Sequence, residues 1–310
     1  MSDGLDIIGD VHGCARQLAE LLTAMGYEEK LGVFRHADRR VVFIGDLIDR
    51  GPGQVETVRI ARSMVEAGTA LIVAGNHEFN AIAFATRDDA RPSGYMRDRT
   101  RKWHQHEAFL DQVGVDSAAH DEMIEWFGTM PLWLEVDGVR LVHACWDPAS
   151  MQALQTWGEQ PMGQREFMSL ATDGESPEYH AVEHLLKGPE IAIAPGYLDK
   201  DGTPRNEARM NWWTSDWSDP HSLAHIPADV ASVEGGRFEL RDVADPTAVG
   251  IEAYGSDKPV FFGHYWMSGT PCLQAPNVAC TDWSAVKGGV LAAYRFSGET
   301  DLTDDNWVSV

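Results

Sequence analysis

Five short apolar runs recur along the chain, and each stops on glycine or on a residue able to bind a metal: Leu5-Asp-Ile-Ile-Gly9, Val41-Val-Phe-Ile-Gly45, Leu71-Ile-Val-Ala-Gly75, Val139-Arg-Leu-Val-His143 and Val260-Phe-Phe-Gly-His264. Runs this short and this rich in β-branched residues read as strands buried on both faces. Helical periodicity separates the first three, over Ala15 to Met25 and Gly53 to Ala67. The opening part is therefore strand, helix, strand, the pattern of a parallel α/β sheet. Asp137-Gly138, between two extended runs in Trp133 to His143, signals a hairpin.

In open α/β sheets ligands collect beyond the carboxyl ends of the strands, so residues distant in sequence converge there. Here the ends read Gly9-Asp10-Val11-His12-Gly13, Gly45-Asp46-Leu47-Ile48-Asp49-Arg50-Gly51, Gly75-Asn76-His77-Glu78, His143-Ala144 and Gly263-His264. Taken singly, an Asp or His at such a place is equally well explained as a turn or capping residue. Taken together, their oxygen and imidazole donors suit divalent Mn, Fe, Zn or Ni, and the scarcity of soft ligands argues against copper(I) or an iron–sulfur cluster. Two such ions about 3.5–4 Å apart call for one shared carboxylate.

The ordered set GDVHG, GDLIDRG, GNHE, His-Ala and Gly-His resembles the calcineurin-like metallophosphoesterase superfamily. Within it, the likeness is to the phosphoprotein phosphatase branch, which holds bacterial serine/threonine phosphatases and symmetrical diadenosine tetraphosphatases. The motifs span Gly9 to His264. The resemblance implies an α/β fold: a metallophosphoesterase-type β-sandwich flanked by helices, with a helical cap insertion. It also implies two divalent metal ions, manganese first and Fe, Zn or Ni after it. Asp10 and His12 would hold one ion, Asp46 would bridge, and Asn76, His143 and His264 would complete the second. By the same resemblance His77 is the general acid, Asp49 orients it, Arg50 grips phosphate oxygens, and a metal-bridging hydroxide attacks phosphorus directly. Trp266 stands where many phosphodiesterases of the superfamily carry the second His of Gly-His-x-His, which points away from a cyclic-nucleotide phosphodiesterase. The branch's second phosphate-binding Arg has three candidates, Arg165, Arg205 and Arg209.

The expected reaction is dinuclear-metal-dependent phosphomonoester hydrolysis, with phosphoserine or phosphothreonine in a protein as first substrate. A bis(5'-nucleosyl)-tetraphosphatase or other nucleotide phosphohydrolase is the alternative, and a metal-binding scaffold without activity is the non-enzymatic one. A rival motif, His180-Ala-Val-Glu183-His184, fits the H-x-x-E-H zinc-protease pattern but leaves the strand-end motifs unexplained.

The 310 residues read as a single domain with insertions at about 79–130 and 146–258. The first insertion is polar, rich in Arg and His and broken by Pro92 and Gly94, a helical cap with His104 and His106 on its solvated face. The second holds three of the 11 tryptophans within Asn211 to Trp217. They are expected to be core for a loop-rich segment, with a base-stacking wall as the other reading. Gly298 to Val310 is acidic and reads as a solvated tail. A net charge of −23 argues against nucleic acid as a partner. Cys14, Cys145, Cys272 and Cys280 show neither disulfide nor zinc spacing, and Cys14 and Cys145 read as small buried residues beside the ligand motifs. No signal-peptide pattern occurs, and no apolar stretch approaches the roughly 20 residues needed to cross a bilayer. A cytoplasmic protein with no membrane partner is the expectation.

Overall fold

The computed structural model describes residues 4–198, 202–214, 219–226, 230–236, 238–244, 250–251, 253–255 and 258–310. The chain divides into two compact units, one made of Met1–Leu186 with Asp257–Val310 and the other of Lys187–Ser256.

In the first unit every apolar run singled out above forms a strand. They are β1 (Gly4–Ile8), β4 (Arg39–Phe43), β5 (Ala70–Ile72), β7 (Val139–Val142) and β13 (Val260–Phe262), with a small β2–β3 hairpin (Glu28–Lys30, Val33–Arg35) before β4. Between them, α1 (Ala15–Ala24) and α2 (Gln54–Glu66) connect β1 to β4 to β5 in parallel. The hairpin of β6 (Trp133–Val136) and β7 turns at Asp137 and Gly138, which take φ of 50° and 85°. Two positive φ values in a row are what a tight two-residue turn requires, and Asp-Gly supplies them at low cost.

Two sheets result. One runs β16-β15-β1-β4-β5 and the other β14-β13-β7-β6, where β14 is Val278–Cys280, β15 Ala292–Phe296 and β16 Trp307–Ser309. Leu5, Ile7 and Val42 from the first sheet and Val139, Leu141 and Phe261 from the second belong to one fully buried core, so the sheets pack face to face as a sandwich. On the outward side of β1, Asp6 is completely buried; its Oδ1 accepts from Arg39 Nε (2.8 Å) and Arg295 Nε (3.1 Å), and Oδ2 from the Tyr27 hydroxyl (2.9 Å). Such a carboxylate is tolerated inside because every neighbour donates to it.

The expectation of a solvated tail at Gly298 to Val310 is corrected. Strand β16 closes the sheet against β15, Leu302 is buried, and the Trp307 ring packs edge-on to Tyr294. An acidic segment needs only a few apolar anchors to gain a place at a sheet edge.

Residues 79–130 hold most of α3 (Asn76–Ala85), then α4 (Arg99–Val113) and α5 (Ala118–Phe127). Asp98 caps α4 by accepting from the Thr100 and Arg101 amides, and Ser117 caps α5. After β7 come α6 (Pro148–Leu154), α7 (Arg165–Ala171) and α8 (Pro177–Lys187), the last carrying the H-x-x-E-H residues.

The second unit is built on the antiparallel pair β8 (Glu190–Leu198) and β9 (Pro204–Met210), flanked by β10 (Ala224–His225), β11 (Ala231–Ser232) and β12 (Asp242–Val243), with a short α9 (Pro220–Leu223). Ile191, Ile193, Ala208, Met210 and Leu223 form its core. Trp212 is buried, edge-on to Trp213 and Tyr254, as the core reading of the aromatic run expects; Trp217 lies outside the described residues.

Candidate metal centre

The carboxyl ends of β1, β4, β7 and β13 and the amino end of α3 meet in the first unit. Asp10, His12, Asp46, Asp49, Asn76, His77, His143 and His264 are all buried there, none more than 7% exposed. Two sets of donor atoms lie within 4.8 Å of one another: His12, Asp46 and His77, and Asp46, His143 and His264. Asp46 belongs to both. Its Oδ2 faces His12 Nε2 at 3.5 Å while its Oδ1 faces His143 Nε2 at 3.4 Å, so one carboxylate presents an oxygen to each set. Asn76 Oδ1 joins the second set, 3.1 Å from His143 Nε2. Asp10 accepts the His264 amide on both oxygens at 3.2 Å.

The imidazoles are aimed. His12 Nδ1 donates to the Ile48 carbonyl at 2.8 Å and His143 Nδ1 to the Ile44 carbonyl at 2.6 Å. A carbonyl can only accept, so each ring carries a proton on Nδ1 and turns Nε2 inward, the orientation a metal-ligating histidine takes. Residues with little direct chemistry hold the loops. Glu78 Oε2 accepts the Asp46 and Gly75 amides at 2.9 Å and Oε1 the Leu47 amide at 2.8 Å, pinning the β4 loop to the start of α3. Gly45 is required at φ 87°, because a Cβ there would collide with the Gly75 backbone.

Electrostatics test whether these residues fit a cation pair. Burial, and then Asp282 and Asp46, push the Asp10 carboxyl well above the usual range. Burial and Asp46 likewise raise Glu78 and Asp282. Asp46 moves the other way: burial opposes it, but His143, His77 and His12 hold it well below the ordinary value. Burial, His77 and Arg50 drive His12 down to about 3, whereas Asp46 overcomes burial to lift His143 to about 10. Carboxylates crowded in this way repel one another, and positive charge placed among them relieves the repulsion. The protein itself sets one there: Arg50 Nη1 donates to His12 Nε2 at 2.6 Å, and Nη2 lies 3.3 Å from His77 Nε2. The oxygen and nitrogen donors, the shared carboxylate and the surplus negative charge all fit a pair of divalent cations.

His77 occupies the first turn of α3. Its Nδ1 donates to Asp49 Oδ2 at 2.5 Å, and Nε2 lies 3.7 Å from Asp46 Oδ2. Arg50 stacks its guanidinium 4.0 Å from the centre of the Trp266 ring, and the Lys287 ammonium lies over the same ring. Of the three further arginines, Arg165 donates from an exposed position to the Arg87 carbonyl at 2.7 Å, and Arg205 and Arg209 lie on β9 of the second unit. The H-x-x-E-H residues form no three-ligand group among the described residues; His180 packs on Tyr179 and His184 lies 3.5 Å from Asp147. The four cysteines are free thiols, with Cys14 and Cys145 buried.

Two residues escape the sequence reading. His106 belongs not to a solvated face but to the interior, 1% exposed, with Nδ1 2.8 Å from Asp49 Oδ2, while His104 is exposed as expected. The signal was available: His106 shares the helical stripe of Phe109, Leu110 and Val113. Asp282 follows β14 and accepts the Trp266 and Ser284 amides at 2.9 and 3.0 Å, obeying the strand-end rule already applied to the other runs.

A family model for calcineurin-like phosphoesterases matches residues 5–265. The chain belongs to that family. It is thus a phosphate-ester hydrolase of mixed α/β fold. A symmetrical bis(5'-nucleosyl)-tetraphosphatase of Methylobacillus flagellatus is 27% identical over 294 residues, covering 94% of this chain and 91% of the relative. An asymmetrical bis(5'-nucleosyl)-tetraphosphatase of Oceanobacillus iheyensis is 30% identical over 141 residues, 45% of this chain and only 54% of that relative's length. Among solved structures, a mutant of a cold-active protein tyrosine phosphatase shares the fold, with 14% identity, coverage of 100% of this chain and 80% of that chain, and a TM-score of 0.50. Among the described residues no helix is long and apolar enough to cross a membrane.

Proposed function

We propose that this family member hydrolyses the phosphoanhydride chain of dinucleoside polyphosphates. The observation that carries the reading is the alignment with the Methylobacillus enzyme over 94% of this chain, which takes in both insertions and not only the metal motifs. The sequence alone ranks phosphoserine and phosphothreonine first, but it does so on motifs that both substrate classes share. With the insertions counted, the nucleotide reading takes precedence.

In this reading Asp10 and His12 hold one cation, Asn76, His143 and His264 the other, and Asp46 both. Bound together, two divalent cations, manganese foremost, supply an activated water and offset phosphate charge. Arg50 spans two phosphate oxygens with its planar fork, steadied by the Trp266 face. His77 delivers a proton from Nε2 to the departing oxygen. Burial works against its charged form, but Asp46 and Asp49 outweigh it and raise its pKa, which favours the protonated ring.

The test is a side-by-side assay of manganese-loaded protein with diadenosine tetraphosphate, phosphopeptides and an aryl phosphate. A higher kcat/KM for the tetraphosphate, with two equivalents of ADP as product, is expected. Preference for the phosphopeptides would overturn the reading.

A further inference from the structure

The Asp49 carboxylate serves two histidines through one oxygen. Oδ2 accepts from His77 Nδ1 at 2.5 Å and from His106 Nδ1 at 2.8 Å, while buried Oδ1 has no hydrogen-bond partner. A carboxylate oxygen has two lone pairs, and both are used here, so Oδ2 has no room for a proton of its own. The pair of donors also keeps Asp49 ionised: burial would raise its pKa, but the bonds from His106 and then His77 bring it below the ordinary value.

We propose that His106 is a positioning residue for proton delivery, holding the Asp49 carboxylate in the one rotation that keeps the His77 imidazole aimed.

Its surroundings leave it little else to do. His106 is 1% exposed, its Nε2 is buried without a partner, and its ring meets Phe84 edge-on with centroids 5.4 Å apart. An ionised carboxylate can only accept, so Nδ1 carries the proton and the neutral ring leaves Nε2 bare. The loop it steadies needs an outside hold, because Asp49 and Arg50 both adopt left-handed backbone, with φ of 71° and 73°. Helix α4 grips that loop a second time. Gln112 Nε2 donates to the Pro52 carbonyl at 2.7 Å and Gln112 Oε1 accepts the Gln54 amide at 2.9 Å. Gln54 in turn accepts the Asp49 amide at 2.6 Å and donates to the Gly51 carbonyl at 2.7 Å. The helical insertion thus reaches the centre at two points, and His106 is the one that ends on the proton donor's partner. Without His106, Oδ2 keeps a single donor and the carboxylate is free to rotate, exchanging the oxygen that faces His77.

The inference rests on His77 acting as proton donor, and it holds for any phosphate ester the centre accepts. The test compares wild type, His106→Leu and His106→Asn for manganese content, for kcat and KM on an alkyl and a nitrophenyl phosphate, and, in zinc-loaded protein, for imidazole nitrogen resonances. Removing the donor in His106→Leu should lower kcat for the alkyl ester about 10–100-fold, as loss of an outer partner typically does. KM and metal content should stay unchanged, and the nitrophenyl ester should suffer less. His106→Asn, whose Nδ2 can stand in for Nδ1, should recover most of the loss. The wild-type spectrum should show His106 protonated on Nδ1 and bare on Nε2. Wild-type kcat in His106→Leu, no recovery in His106→Asn, or a wild-type His106 carrying its proton on Nε2 alone would each overturn the proposal. The spectrum decides even if the variants fold poorly. Failure of the tetraphosphate assay leaves these ester measurements standing, so the two readings fail separately.

Discussion

His77→Ala separates the two things an imidazole could do at this centre. Nε2 of His77 falls in a donor set with His12 and Asp46, yet it lies 3.7 Å from Asp46 Oδ2 and 3.3 Å from Arg50 Nη2. Nδ1 is committed to Asp49. If Nε2 gives a proton to the leaving group, its loss costs about 10²- to 10⁴-fold in kcat, about 3–5 kcal/mol of barrier at 1.36 kcal/mol per tenfold. The upper end is expected for an alkyl ester, whose alkoxide cannot depart unprotonated, because the ring is buried and Asp49 fixes its Nδ1. A nucleoside diphosphate leaves as a stabilised anion, so the tetraphosphate should sit near the lower end. Folding should survive: the His77 amide donates to Asp46 Oδ1 at 3.0 Å, and alanine keeps that bond and the helix start. The assay is metal content after desalting, beside kcat for leaving groups of graded acidity. Full metal content with a steepened leaving-group dependence is expected. Manganese and turnover falling in the same proportion, with no change in leaving-group dependence, would make His77 a ligand and refute the assignment.

Asp46→Asn keeps the acceptor for the His77 amide but removes the charge that faces both donor sets, so manganese content should fall at both positions; unchanged content would contradict the bridging role. Asp6→Asn strips the charge that Arg39 and Arg295 share beneath β1, and should destabilise the fold by about 3 kcal/mol, read as a lower urea midpoint with unaltered m-value. A midpoint equal to wild type would mean that solvent already compensates the two arginines.

The strands are legible because a strand buried on both faces is a mostly apolar run, and the glycine or potential ligand that closes the run marks its end. That rule located Asp10, Asp46 and His143, and the positive-φ turn at Asp137-Gly138 located the β6–β7 hairpin. It was applied to five runs when a sixth obeyed it: Val278-Ala-Cys280 followed by Thr281-Asp282. His106 was missed for a different reason. Its polar type and charged neighbours suggest exposure, whereas its helical phase with Phe109, Leu110 and Val113 places it inside. The edge strand β16 is short and flanked by acidic residues, and its partner β15 is far closer in space than any local pattern reveals. In the second unit β8 alternates in burial from Glu190 to Pro195, but the outward positions after Glu190 are alanines, so the sequence carries little polar–apolar contrast, and the β8–β9 pairing then shifts register between Ala192 and Tyr197.

Backbone strain explains why so many side chains here bind amides rather than substrate. His12, Asp46, Asp49, Arg50, His264 and Trp266 are non-glycine residues with φ between 46° and 73°. Each such conformation costs about 1–2 kcal/mol, and here they crowd into the loops after β1, β4 and β13, three of those that carry the donor atoms. Ordinary turns would choose glycine at these places; under the proposed function the chemistry calls for a side chain at most of them, and fixed acceptors offset the cost. Glu78 takes the Asp46 amide, Asp10 the His264 amide and Asp282 the Trp266 amide. The acceptors that hold the strained loops are carboxylates, and burial together with Asp46 raises the pKa of each of them. One set of residues therefore both shapes the loops and favours cations, so under the proposed function metal binding should raise the stability of the strand ends around the centre.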